Sequence, residues 1–470
     1  MADAGSEASS ISRRAILLVV TTSSFLIPFA ASSVNIGLPS IGREFSLDAV
    51  ALGWVPTAFM LAVATLLVPF GRIADIRGRK KIFILGAVVH TIASLLAVVS
   101  NSIVMLLIFR VVQGIGGAML MSTGMAILTS VFGSSERGKV LGINVASVYI
   151  GLSLGPVLGG FLTQYFGWRS LFMAMVFFGI IIIVVALWKL REEWAEAVGE
   201  KFDLVGSLVY AIALISLIYG LSQLPKLIGA WLMGASLLAM LVFIRWETRL
   251  KNPVLRIGLF RNNTVFAMSN LAALVNYSAT FAVGFLLSLY LQSIRGFPPQ
   301  STGLILVAQP AAMALLSPLA GRLSDRIEPR LIASAGMALT VVGLAMLVFL
   351  SQDTGLGLIL TSLVILGLGF ALFSAPNTNA IMSSVERKFY GVASGVVGTM
   401  RSIGQMLSLG IVMLLFSIYA GELQITAAHS EVFLQGMRVA FIIFAVLCSG
   451  GVFASLARGK VHSAPTEDWG

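Results

Sequence analysis

The chain has 470 residues, of which 58% are hydrophobic and 11% charged, against roughly 25% charged in an ordinary soluble domain. Two or three soluble domains of this total length would need polar skins that so few charges cannot supply, so lipid is the expected solvent. A single cysteine, Cys448, excludes an internal disulfide and any cysteine-based metal cluster, and the three histidines (His90, His429, His462) lie far apart; no metal site and no cofactor is expected. The net charge of +11 comes without a basic arm or interleaved aromatic and basic residues, which argues against a nucleic-acid partner.

A helix that crosses about 30 Å of hydrocarbon at about 1.5 Å per residue needs about 20 apolar residues. Fourteen stretches qualify: approximately 15–38, 50–71, 81–100, 103–128, 139–164, 168–189, 204–223, 227–245, 265–291, 302–322, 331–351, 355–382, 390–417 and 434–457. Arg13 and Arg14 precede the first run as in a secretory signal, but that run exceeds the usual apolar length and thirteen more follow, so it is expected to be a retained first helix. Residues 1–14 and 459–470 are polar enough to be disordered tails. Around the seventh and eighth spans, Lys189 to Asp203 with Trp188 and Trp194, and Arg245 to Asn263, have the mixed charge of interfacial segments, with a soluble-partner surface as the alternative.

With a cytoplasmic amino terminus, Arg43, Arg169, Lys226, Arg295 and Arg438 fall outside and Arg110 and Arg401 within spans, leaving 24 of the 31 Lys and Arg residues inside. That bias sets the orientation: both termini cytoplasmic in a multi-pass plasma-membrane protein. The basic balance is then chiefly a topology signal.

After the second span stands Gly71-Arg72-Ile73-Ala74-Asp75, and 250 residues later, after the tenth, Gly321-Arg322-Leu323-Ser324-Asp325. One structural unit is repeated at an offset of eight helices. Two six-helix halves joined directly would give six, so two spans are inserted between them. The expected fold is an all-α membrane protein with 14 transmembrane helices, two six-helix halves plus two inserted central helices (6+2+6): 15–190, the linker and inserted pair 191–250, and 251–458.

The first loop continues to Gly78, Arg79, Lys80 and Lys81. Gly71 permits close helix approach, Gly78 suits a tight turn, and Asp75 can face an arginine or a helix amino terminus. The fourth span carries Arg110, Gln113, Gly114, Gly116 and Ala118. Arg110 lies about 10 Å deep, where an unpaired guanidinium costs at least a few kcal/mol, so it should face the bundle interior. In the fifth span Gly151, Gly155 and Gly159 recur every four residues, with Pro156 and Gly160 among them; the result is a strip without side chains that lets another helix approach closely. Gly391, Gly395 and Gly404 make a looser version in the thirteenth span.

These motifs resemble the major facilitator superfamily, and specifically its fourteen-helix drug:proton antiporter branch, over nearly the whole chain. The loop is similar to the family's G-x-x-x-D-[RK]-x-G-[RK]-[RK], with Ile76 where a basic residue is usual. The fourth span resembles R-x-x-Q-G-x-G-x-A, and the fifth resembles the antiporter motif G-x-x-x-G-P-x-x-G-G. Trp246-Glu247, Arg249, Pro253, Leu259 to Asn262, and Leu289 to Gln292 with Gly296, Pro299 and Gly303, favour the fourteen-helix branch. Asn35 and Pro39 also fit it, but Ala30 stands where the branch carries an aspartate.

What the resemblance implies is a secondary active transporter: proton-coupled multidrug efflux, hence antibiotic resistance, by alternating access. The loop residues Gly71, Asp75, Gly78, Arg79, Gly321 and Asp325 would latch the halves, a plain topology signal being the alternative. Arg110 would serve proton coupling or cargo contact, or simply pack. Every acid lies in a loop, a tail or a span end, so the proton carrier is not evident; His90, midway along the third span and titrating in the useful range, joins Asp75, Arg110 and Arg401 as coupling or gating candidates, with hydrogen-bonded packing as its alternative. Arg110 and Arg401, the only in-span charges, favour neutral or anionic cargo. Cavity candidates are Gln113, Tyr149, Asn270, Asn276, Tyr277 and Gln309. The alternative function is a facilitator or uptake carrier for a small anionic or neutral metabolite. No nucleophile–base cluster for an enzyme and no GxxxxGK[ST] phosphate loop is present. The expected partners are a small-molecule substrate, protons and the bilayer, and the expected state is a monomer.

Overall fold

The computed structural model describes residues 2–132, 134–190, 192–250, 258–324, 326–386, 390–421 and 423–459. Fourteen helices among them are long and apolar enough to cross a membrane. They run Arg13–Glu44, Ala49–Arg77, Arg79–Val98, Ile103–Val131, Val140–Phe166, Arg169–Lys189, Leu204–Gln223, Leu227–Glu247, Thr264–Ile294, Pro299–Ser324, Pro329–Leu347, Leu356–Ser383, Val392–Tyr419 and Ser430–Ala457. No strand occurs among the described residues. Each lies on one of the fourteen apolar runs, and several extend past them because a helix continues beyond the hydrocarbon until a cap stops it. Residues 2–14, expected as a tail, extend the first helix on its amino-terminal side; of the tail over 459–470, residues 460–470 lie outside the described residues.

The caps are legible chemistry. Asp48 accepts from Ala51 N at 2.7 Å, Ser102 from Met105 N at 3.3 Å, Asp203 from Gly206 N at 3.0 Å and Asn263 from Phe266 N at 2.9 Å, each satisfying an amide that a helix start leaves orphaned. Gly78, at φ 112°, parts the second span from the third, a conformation that a side chain disfavours.

The chain packs as two compact units. One contains residues up to Val254, Val283–Val307 and Leu409–Gly436; the other contains Leu255–Ala282, Ala308–Ser408 and the segment from Met437 on. The ninth, tenth, thirteenth and fourteenth spans therefore each contribute to both. In the first unit the first span packs on the fifth and sixth, and the fourth on the second and third. The seventh and eighth spans pack chiefly on each other, Gly220 against Gly229, while the seventh also lies on the second, where Tyr210 Oη donates to Ala64 O at 3.2 Å. In the second unit the twelfth span is central, packing on the eleventh and on Ala308–Ser324 and Thr264–Thr280.

That second unit is tied at one end by Arg458, just past the fourteenth span and 1% exposed. It donates from Nη1 to Asn377 Oδ1 at 2.8 Å and Ser269 Oγ at 3.2 Å, and from Nη2 to Pro329 O at 2.9 Å. Asn377 Nδ2 in turn donates to Ser269 O at 3.0 Å. Four spans thus meet at one guanidinium. Burial lowers its pKa to about 10, with Glu328 opposing, so it stays charged at neutral pH. Truncation by Arg458→Ala leaves those acceptors buried and unpaired, at about 1–3 kcal/mol; thermal unfolding in detergent should show a lowered midpoint.

Candidate functional site

In the first unit the fourth span carries Arg110 to the centre of a four-helix contact. The side chain is 1% exposed. Its Nε donates to Val55 O at 3.0 Å and its Nη1 to Gln113 Oε1 at 2.6 Å, while the guanidinium sits 4.4 Å from the centre of the Phe59 ring. Gln113 Nε2 continues the chain to Ser94 Oγ at 2.7 Å, with Met175 Sδ at 3.3 Å, and Ser94 Oγ donates to His90 O at 2.7 Å. The charge is met by a carbonyl, an amide and a ring face. Among the described residues no carboxylate pairs with it, and Nη2 makes no hydrogen bond.

His90 belongs to this cluster. It is fully buried, its ring 6.4 Å from that of Phe59, and its Nδ1 lies 3.2 Å from Gln113 O. A carbonyl only accepts, so that contact assigns the proton to Nδ1 and leaves Nε2 as the acceptor. Nε2 has no partner among the described residues. The glycines of the fourth span make this proximity possible: a Cβ on Gly116 would stand 2.5 Å from His90 N, and one on Gly114 2.5 Å from Phe59 O. Three of the residues singled out in the sequence, Arg110, Gln113 and His90, are therefore brought together. Ser94 completes the chain; its position four residues after His90 is a signal, whereas Phe59 had none in a sequence with 29 phenylalanines.

The loop between the second and third spans forms a second cluster. Arg79, whose side chain is 8% exposed, reaches Asp75 at 2.8 Å, Glu196 at 2.7 Å and Ser130 Oγ at 2.6 Å. Arg72 pairs with Glu200, and Lys80 N donates to Glu193 Oε1 at 2.8 Å. Two main-chain bonds fix the register: Arg79 N to Trp194 O at 2.8 Å and Ala197 N to Asp75 O at 2.9 Å. The linker after the sixth span, expected as an interfacial segment, is folded onto this loop, where its acids meet the loop's arginines. Of the second copy, Gly321 is in open space and Asp325 lies outside the described residues.

The fifth-span strip meets two neighbours. A Cβ on Gly151 would collide with Phe25 O, one on Gly155 with Ser32 Oγ, and one on Gly159 would lie 2.9 Å from Ser33 Cα, all on the first span. Gly160 faces the other way, 2.5 Å from Pro299 O by the same measure, and Gly303 abuts Pro156 O. Gly151, Gly155 and Gly159 thus seat the first span, while Gly160 and Pro156 seat the start of the tenth.

The remaining candidates are scattered. Asn270 is buried and donates back to Phe266 O at 2.8 Å; Asn276 is buried with neither amide atom partnered; Tyr277 sits edge-on to Phe370 at 5.3 Å; Gln309 presents its carbonyl to Gly367. These four belong to the second unit, as does Arg401, which is half-buried without a polar partner among the described residues. Tyr149 is buried at 9% exposure on the fifth span. A cleft of about 260 Å³ lined by Thr21, Thr22, Phe25, Ser147, Ile150 and Phe178 contains none of the candidates.

Residues 20–408 and 269–468 match the model of the Major Facilitator Superfamily. The chain belongs to that superfamily. It is 28% identical over 441 residues to the riboflavin transporter RibZ of Clostridioides difficile, covering 94% of this chain and 96% of that one. It is 31% identical over 395 residues to the multidrug resistance protein Stp of Mycobacterium tuberculosis, covering 82% and 73%. The tetracenomycin C resistance and export protein of Streptomyces glaucescens is 26% identical over 415 residues, covering 86% and 76%. A crystal structure of a bacterial homolog of the human lysosomal transporter Spinster superposes with a TM-score of 0.67 at 16% identity, covering 95% of this chain and 97% of that chain. With fourteen spans and drug-resistance transporters among its relatives, this superfamily member is a multi-pass membrane transporter of small molecules.

Proposed function

We propose that this transporter exports lipophilic compounds from the cell in exchange for protons, by alternating access across the plasma membrane with both termini in the cytoplasm, working as a monomer. The observation that carries the reading is the buried network at Arg110: a cation held by neutral groups, with Nη2 unengaged and a histidine acceptor next to it. An acceptor-bearing or anionic cargo group would complete the guanidinium's hydrogen bonds. His90 Nε2 would take the proton, and a proton there repels the neighbouring Arg110 charge, which is the coupling such a pair supplies. Asp75 and the strip at Gly155 and Gly159 act as gates in this reading, and Arg401 is the second in-span cation. The drug-resistance and export relatives support the direction of transport.

A facilitator or uptake carrier is the second reading. It is favoured by the lack of a mid-span carboxylate and by a relative named as a riboflavin transporter that aligns over 94% of the chain. Purified protein in liposomes with a trapped pH dye separates the two. Adding cargo should move protons in the opposite direction, and dissipating the pH gradient should stop accumulation. Cargo flux without any proton movement would leave the facilitator reading standing in its place.

A further inference from the structure

The linker between the sixth and seventh spans holds the loop at 71–81 through both backbone and side chains. Its Trp194 carbonyl and Ala197 amide bond Arg79 N and Asp75 O; its Glu193, Glu196 and Glu200 engage Lys80 N, Arg79 and Arg72. The loop's own glycine is shaped to it: a Cβ on Gly78 would run into the Glu193 carboxylate. Yet the grip is built to let go. The Glu196 side chain is 67% exposed and that of Glu200 37%, against 8% for Arg79 and 19% for Arg72. Water therefore competes for each acid, while Arg79 keeps Asp75 and Ser130 as partners when Glu196 leaves. Among the described residues only Ala197 and Leu190 of the linker's apolar side chains are buried. Segments held by few buried contacts and exposed polar ones open at low free-energy cost.

We propose that residues 192–200 form a releasable strap on the 71–81 loop. Glu193, Glu196 and Glu200 act as positioning residues that hold Arg72, Arg79 and the turn at Gly78 in one arrangement, and the strap must detach and re-dock in each transport cycle. This rests on the transport reading above, but not on what is carried or on protons. It also gives Arg72 and Arg79 a partner inside their own unit. Span-end arginines that would otherwise read only as a topology signal become one side of a two-state contact, which a cycle can bias.

The chain has one native cysteine, the buried Cys448, so a Cys448→Ala background allows a lock. In that background Arg72→Cys with Glu200→Cys, bridged by a bifunctional thiosulfonate reagent in proteoliposomes, should stop flux of ethidium or riboflavin, whichever the unbridged protein carries, and reductant should restore it. Bridged protein that transports at the unbridged rate overturns the strap. Unbridged protein that carries neither probe counts against the transport reading instead, and the strap is then read from the charge pair by dye-labelled distance in detergent. There Arg72→Glu and Glu200→Arg should each raise the fraction of detached strap about fivefold, and the exchanged pair should return it. Equal distances in all four proteins overturn the proposal.

Discussion

Arg110→Gln should lower cargo flux in proteoliposomes roughly thirty- to hundredfold while the protein still elutes as a single species from detergent. The estimate is the loss of charge-assisted hydrogen bonds worth about 2–3 kcal/mol, since Val55 O and Gln113 Oε1 both take their protons from this one fork. Arg110→Lys should recover only part of the flux: an ammonium is a point donor and cannot serve two acceptors set by a planar guanidinium while lying flat on Phe59. The same assay tests the cargo chemistry. Anthracene-2-carboxylate should be carried better than its carboxamide, and both better than the corresponding methylammonium, a ranking that Arg110→Gln should flatten. A wild-type preference for the ammonium would remove Arg110 from cargo contact. His90→Gln should leave downhill flux and abolish its proton coupling; coupling that survives this change would make His90 a packing residue.

How much of this was legible in the sequence follows from how local each feature is. Apolar length alone located all fourteen spans, and the spacing of Arg110 and Gln113 placed them on one face of one helix. Their neighbours come from other helices, and no period in the sequence joins Ser94, Phe59 and Val55 to them. Arg458 shows the limit from another side. Ending a span at residue 457 makes the next arginine look like an ordinary positive flank, whereas Ser269, Asn377 and Pro329, from three other spans, converge on it. The linker acids, in the sequence alone, read as part of an interfacial segment because mixed charge with tryptophan beside a span usually marks one. Only the fold reveals that the loop opposite carries the complementary arginines. The small-residue strip was the reverse case, since its period fixed its face, but not that Gly160, one position on, seats a different helix.

That difference in neighbours makes the strip separable by rescue. At Gly155 the atom nearest an added Cβ is Ser32 Oγ, a removable side-chain end, with Ser32 Cβ at 3.0 Å and Phe29 O at 3.2 Å behind it. At Gly303 the obstruction is Pro156 O, with Pro156 C at 2.8 Å, and main chain cannot be trimmed. Both Gly155→Ala and Gly303→Ala should therefore overpack their seams, at about 1–3 kcal/mol each, and lower the unfolding midpoint. Adding Ser32→Ala should restore most of the loss in Gly155→Ala and nothing in Gly303→Ala. If the first and fifth spans only needed to touch, the restored protein would regain stability and flux together. If they must also shift against each other during transport, stability returns while flux stays low, because a methyl on position 155 keys into the space that Ser32 vacates and resists sliding. Midpoint and flux measured on the same four proteins decide between a fixed seam and a sliding one. A Ser32→Ala background that fails to relieve Gly155→Ala would show that the two spans are not in contact there.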